Sequence, residues 1–303
     1  MTEPALRVGL VLPMFSGDPE KVLAAATASE RLGYDGLFAF DHFFPPGGRP
    51  DQPSLEAFTT LGAVAAATER VRLGTLVTRA VLRPPGMLAK LTTTVDVISE
   101  GRMVLGIGTG DPIDRPEHEA FGFPDLSVPD RRANLAETIR ALKALFAGVS
   151  FEGGERHPRL EGPLLPPPVQ EGGPPIWIGA QSDGVVRMAG SLADGWNGWG
   201  LHPEAFHRKV DLLHDAASEA GRDVEASWAG IVLVGETVAE AERLHEARLA
   251  KNMDALAWVG PVDRFAEFLH TLRDAGAVWA IFVLAGPPGR RELIAERVLP
   301  ALR

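Results

Sequence analysis

Apolar positions along this chain fall in continuous blocks, not in alternation with polar ones. Strand-length blocks occupy 6–13, 35–40, 71–78, 102–108, 175–180, 194–199, 225–235 and 278–286. Unbroken apolar runs of this kind are expected of parallel strands covered on both faces. Between them lie longer segments of helical period. Asp18 caps the first, which Gly33 closes, and Ser54 caps the second; others span 85–99, 131–148, 203–221, 238–252 and 261–275, with a last one running to Leu302. Eight strand-like blocks alternating with helices predict an α/β fold, a (β/α)8 TIM barrel forming one domain over 1–303, with insertions at the C-terminal mouth.

The blocks end alike. DGLFAF breaks into Asp41-His42, and RMVLGIG breaks into Thr109-Gly110-Asp111. VRLGTLVT gives way to Arg79 and Arg83. In a barrel these ends share one rim, where active sites are built. The loops at 41–53 and 109–130 are long for strand-to-helix connections and are expected to shape a site. The Gly/Pro-rich stretch 149–174 has no period and reads as an insertion or lid.

Composition narrows the class. Of 303 residues 45% are apolar and 23% charged, as in a globular protein with ample core. No block reaches the roughly 18 apolar residues of a membrane span. The opening MTEPALRVGLVLP lacks a basic leader region and reads as a first strand. Zero cysteines exclude disulfides and thiolate chemistry and suit a cytoplasmic enzyme. The net charge of −10 argues against nucleic acid or an anionic membrane as partner, since both require clustered positive charge.

His42 at a barrel rim is a candidate acid/base group, with a backbone-bonded loop histidine as the alternative. Asp41 either orients it or caps the turn. GIGTGDP lacks the spacing and the following helix of a dinucleotide fingerprint, so Gly108, Thr109 and Gly110 are read as letting backbone approach a flat ring. Asp111 then presents a carboxylate for proton transfer or caps a turn. GAQSDG places Ser182 and backbone N–H groups at a helix N-terminus, a phosphate seat that Arg79 and Arg83 would charge and Asp183 would oppose. Phe43, Phe44, Trp177, Trp196 and Trp199 are candidate pocket walls. His207, Asp211 and His214 share a helix face, and Glu117-His118-Glu119 lies in a long loop; the helix face is read as exposed, and neither cluster is expected to hold a metal.

RVRLGTLVTRAVLRPPGMLAKLTTTVDVISEGRMVLGIGTGD resembles the central signature of the bacterial luciferase-like flavin and deazaflavin oxidoreductases. ASERLGYDGLFAFDHF, EAFGFP with RRANLAETI, PIWIGAQS with ADGWN, and VGPVDRFAEFLHTLRDAGAVWAIF extend the likeness over nearly the whole chain, leaving 149–174 poorly matched. The resemblance implies a (β/α)8 barrel, commonly a homodimer, holding an isoalloxazine-type ring at its mouth. It implies a cis peptide at Leu76-Val77 against the ring, with Asp41, Thr75, Gly108, Thr109 and Gly110 around it. His42 and Asp111 would be catalytic, and Gly179, Ala180, Gln181 and Ser182 would form the phosphate segment, Ala180 standing where a glycine is usual. The Asp-His pair and the Gly-Thr-Gly-acid run favour coenzyme F420 over FMN, and so hydride transfer to or from a small organic substrate. An FMN-dependent monooxygenase and a non-catalytic flavin-binding protein are the alternatives.

Overall fold

A computed structural model describes residues 5–47, 50–251, 253 and 255–303. The opening Met1–Pro4, read above as no leader, lies outside these residues, as do Gly48 and Arg49 of the second loop and Asn252, the expected end of a helix.

The chain alternates as its apolar blocks require. It runs β1 (Arg7–Val11), α1 (Pro19–Arg31), β2 (Gly36–Ala39), α2 (Ala57–Ala67), β3 (Arg72–Thr75), β4 (Thr78–Arg79), α3 (Pro85–Ile98) and β5 (Met103–Gly108). It continues through α4 (Arg115–Phe121), α5 (Val128–Phe146), β6 (Ile176–Gly179), α6 (Asp183–Leu192), β7 (Gly195–Trp199), α7 (Pro203–Glu219) and β8 (Glu225–Gly235). The last elements are α8 (Val238–Leu249), β9 (Trp258–Pro261), α9 (Val262–Asp274), β10 (Trp279–Ala285) and α10 (Arg290–Arg297). All ladders are parallel in the order β10-β1-β2-β3-β5-β6-β7-β8, and β8 pairs again with β10. This closes the eight-stranded (β/α)8 barrel that the pattern predicts.

Three local features depart from expectation. The block 71–78 is two strands: β3 pairs with β2 and β5, the Leu76-Val77 peptide is cis, and β4 pairs with β5 alone. The cis peptide sits where the resemblance implies it. β9 was not foreseen, because WVGP is short and holds a Gly and a Pro; it pairs with the upper half of β8 at Val232–Gly235. The carboxylate of Glu56, not Ser54, caps α2, accepting from the Phe58 and Thr59 N–H groups.

The stretch 149–174 is a connection without helix or strand. It connects α5 to β6, and Arg156 returns to pair with Asp130 in the first turn of α5. On the way it lies along the helix layer. Glu137 of α5 accepts from the N–H groups of Glu155, Arg156 and His157, and Asp96 of α3 accepts from Val169 N–H and the Gln170 amide.

The barrel has two cores. One lies between helices and strands. The other fills the barrel with Phe38, Leu76, Val104, Trp177, Ala229, Trp279 and Ile281. Phe38, Trp177 and Trp279 meet pairwise at 5.9–6.0 Å between ring centroids. Glycines make room for them: a Cβ at Gly195 would fall 2.3 Å from Trp177 Cδ1, and one at Gly36 would fall 2.8 Å from Trp279 Cζ3. Burying one such ring is worth about 1.5–3 kcal/mol. The plug supports the layer above it, which is the mouth. Among the described residues no helix is long and apolar enough to cross a membrane.

Candidate active site

His42 follows β2 directly, and its closest polar partner comes from an element 75 positions away. Its Nδ1 lies 2.7 Å from Oε1 of Glu117 on α4. The other carboxylate oxygen of Glu117 accepts from Arg79 at 2.6 Å and from the Phe43 N–H at 3.1 Å. Arg79, at the end of β4, also faces Asp114 at 3.6 Å and donates to the Asp41 carbonyl. Glu117 and Arg79 are 1% and 3% exposed, so both charges are compensated inside the protein. Burial pushes the Glu117 carboxyl up, but the hydrogen bonds and charge of His42, Phe43 N–H and Arg79 outweigh it and hold it below the usual carboxylate range.

An ionised carboxylate only accepts, so Nδ1 of His42 carries the proton and Nε2 remains as the second, chemically available nitrogen. Among the described residues nothing hydrogen-bonds Nε2. Glu117, noted in the sequence only within a loop cluster not expected to hold a metal, is thus the buried residue that aims His42. It lay in an acidic, His-bearing loop, and no sequence spacing tied it to β2. Of its neighbours, His118 is buried against the Pro124 carbonyl, and Glu119 pairs with Arg115. His42, Asp114 and Glu117 present ligand-type atoms within 4.8 Å of one another, but Arg79 already supplies the positive charge there.

Among the described residues Asp41 neither bonds His42 nor caps its turn. Its buried carboxylate accepts from Thr78 Oγ1 at 2.5 Å and from Arg83, which also reaches Glu56. Both arginines expected to charge a phosphate seat are therefore committed to carboxylates. The seat at Gly179–Ser182 has a different cation. Arg132 of α5 places its Nη2 3.4 Å from Ser182 Oγ, at the N-terminus of α6. Asp183 pairs with Lys209, which removes the expected opposition. Gln181 donates to the Trp199 carbonyl at 2.9 Å, and Ala180 is tied to β7 by its N–H and by the Trp196 indole.

The glycine run works differently from expectation. A Cβ at Gly106, Gly108 or Gly179 would fall 2.9–3.0 Å from the side chain of Val77, so those glycines make space for Val77 and not directly for a ring. Thr75 is buried and donates to the Gly106 carbonyl at 2.6 Å, which bonds the wall and turns its hydroxyl from the mouth. Thr109 is half-buried. Gly110 is left-handed, φ 78°, beside Arg79 and Asp114. Asp111 caps the turn Pro112–Asp114 in a capping box with Asp114, its N–H donating to the Asp114 carboxylate, and the residue as a whole is exposed. Partial desolvation, then the Asp114 charge, raise the Asp111 carboxyl, against the smaller lowering effects of Arg131 and His42.

Of the expected aromatic walls, Trp199 stands at the mouth, 5.7 Å from Phe40. Trp177 belongs to the plug, and Trp196 is buried against Phe206. Phe44 is buried, while Phe43 stacks on Phe121 at 4.3 Å and ties the β2 loop to α4. His207 and Asp211 are exposed, as read.

The family model for luciferase-like monooxygenases matches residues 6–280. An F420-dependent glucose-6-phosphate dehydrogenase of Beutenbergia cavernae is 32% identical over 347 aligned positions, covering 98% of each chain. One of the same name from Microbacterium testaceum is 34% identical over 230 residues, covering 73% of this chain and 65% of the relative. An F420-dependent secondary alcohol dehydrogenase, solved with an F420-acetone adduct, superposes with a TM-score of 0.84 at 20% identity over 99% of both chains, a likeness of fold. With a family match over nearly its whole length and a relative this similar from end to end, the chain belongs to the luciferase-like monooxygenase family.

Proposed function

We propose that this protein is an oxidoreductase that transfers a hydride between coenzyme F420 and a small organic substrate. The observation that carries the reading is His42, held at the barrel mouth by a buried Glu117, with Nε2 unbonded among the described residues. The F420-dependent names of the relatives support the choice of coenzyme.

The residues present fit such a group. The N-terminus of α6 and Ser182 offer donors for a phosphate, Arg132 adds charge, and the partly buried Val77 offers an apolar face for a ring. Gly108, Thr109, Gly110 and Gly179–Ser182 line the approach, with Leu76-Val77 behind it. When bound, the coenzyme supplies the deazaflavin carbon that gives or takes the hydride. The chain handles the proton. Nε2 of His42 takes it from an alcohol oxygen, or returns it to a carbonyl oxygen in the reverse direction. The imidazolium that forms is stabilised by Glu117, which stays ionised because Arg79 neutralises it. Asp111, across the mouth loop with its carboxyl raised, is the second proton carrier. A homodimer and a cytoplasmic location belong to the same proposal, resting on the resemblance and the absence of cysteine.

Side-by-side titrations of the apo protein with coenzyme F420 and FMN test the reading. Tight binding of the deazaflavin with weak FMN binding is expected. A preference for FMN would move the protein to oxygen chemistry, and binding of neither would remove the cofactor from the argument.

A further inference from the structure

The apolar side of the mouth narrows the substrate. Phe15, just after β1, stacks on Phe40 at 5.7 Å, and Phe40 meets Trp199 at 5.7 Å and His42 at 6.2 Å. All four rings are partly exposed, so they wall open space beside the proton carrier. The neighbouring strands continue this wall. Ala229 and Ile281 belong to the barrel plug and are paired in register. Two residues further along, Ile231 and Val283 face the same way one layer nearer the mouth, paired and partly exposed. Phenyl, indole and aliphatic surface favours an apolar body and offers a phosphoryl group nothing.

Charge points the same way. A phosphate dianion needs cations that are free to meet it. Among the described residues at the strand ends, Arg79 and Arg83 are bound by Glu117, Asp114, Asp41 and Glu56. Arg290, the first residue of α10 and 7% exposed, is held by Glu236 and Glu240. Arg131 donates to the Gly110 carbonyl, and Arg132 stands at the α6 seat, where the coenzyme's own phosphate belongs.

We infer that the substrate is an uncharged alcohol or ketone with an apolar body, and not a sugar phosphate such as the relatives' names specify. The inference rests on the proposed hydride chemistry at His42. In the oxidation, the carbinol C–H bond breaks and its electron pair leaves as hydride to the deazaflavin. The O–H proton passes to His42 Nε2 and the C=O bond forms; the alcohol is oxidised and the coenzyme reduced.

The test begins with coenzyme F420 bound to saturation, followed by its fluorescence; failure at that step breaks the proposed function and not this inference. The saturated protein is then titrated by calorimetry with cyclohexanone and with glucose 6-phosphate. Saturable cyclohexanone binding is expected, at least about tenfold tighter than that of the sugar phosphate, and weakened about tenfold by Phe40→Ala, the scale of one aromatic contact. Ile231→Lys, which adds a cation to the wall, should weaken cyclohexanone and strengthen glucose 6-phosphate while F420 affinity stays within a few-fold. Tighter binding of glucose 6-phosphate by the natural chain, or no binding of cyclohexanone, would overturn the inference.

Discussion

On the β2, β4 and β5 side of the barrel mouth, the buried Asp41, Arg79, Asp114 and Glu117 and the partly buried Arg83 pair with one another around His42. On the β7, β8 and β10 side, Trp199, Ile231 and Val283 carry no charge and remain partly open. The charged side is rigid because every ion there has a partner, and removing one would strand another in a low-dielectric interior. The apolar side is bound by packing alone, so it can change its side chains without that penalty. The difference teaches where the roles lie: proton handling is built into the charged half, and substrate choice into the half that can vary.

Removing the proton carrier should have the largest effect. His42→Ala is expected to lower turnover by about 10²–10⁴-fold, the usual weight of acid–base catalysis, with F420 affinity retained. Single-turnover kinetics beside a binding titration separate the two, and undiminished turnover would take His42 out of the mechanism. Arg79→Met should cost stability instead, on the order of 3–5 kcal/mol, because Glu117 and Asp114 would be left buried without a cation. Denaturant unfolding measures it, and a loss under about 1 kcal/mol would mean the charged half is more open than its burial indicates.

Glu117→Gln sharpens the contrast between structure and chemistry. The neutral amide still fits the site but no longer stabilises an imidazolium, so turnover should fall about 10²-fold, with a shifted pH profile. Its stability effect has a defined sign. The folded carboxyl lies below the usual range, so its contribution is present above about pH 4.3 and is lost as pH falls through the depressed value. The gap between the natural chain and the variant should therefore close in acid.

Asp111 should behave oppositely and more weakly. Its folded carboxyl is raised, so the stability tied to its protonated form is complete below about pH 3.9 and lost as pH rises through the folded value. Asp111→Asn should gain on the natural chain as pH rises across that window, and a difference independent of pH would show its carboxyl to be uncrowded. Smallest of all, Arg132→Ala should weaken coenzyme F420 by about fivefold, the scale of one exposed charge contact, and leave its oxidised spectrum unchanged.

Much of this was readable before the fold was seen. The continuous apolar blocks foretold the parallel ladders, and Asp18 caps α1 as expected, accepting from the Glu20 and Lys21 N–H groups. His42, Asp111 and Ser182 were each singled out by their place just after a strand. β9 was missed because four residues with a Gly and a Pro carry no period. The composition of 149–174 foretold the absence of helix and strand there, and said nothing of which surface the segment covers.

The sequence by itself determined the barrel, the rim and the residue types that reach it, because burial on both faces imposes continuous apolar runs and the chain order imposes the alternation. Only the tertiary structure decided the pairings. Asp41 stands beside His42 in sequence yet bonds Thr78 and Arg83, while Glu117, 75 residues away, takes the imidazole. Arg79 and Arg83 are spent on carboxylates, and Arg132 reaches the α6 seat instead. An ionic partner is chosen by distance and by which charges burial leaves uncompensated, and barrel closure sets both through contacts far apart in the chain.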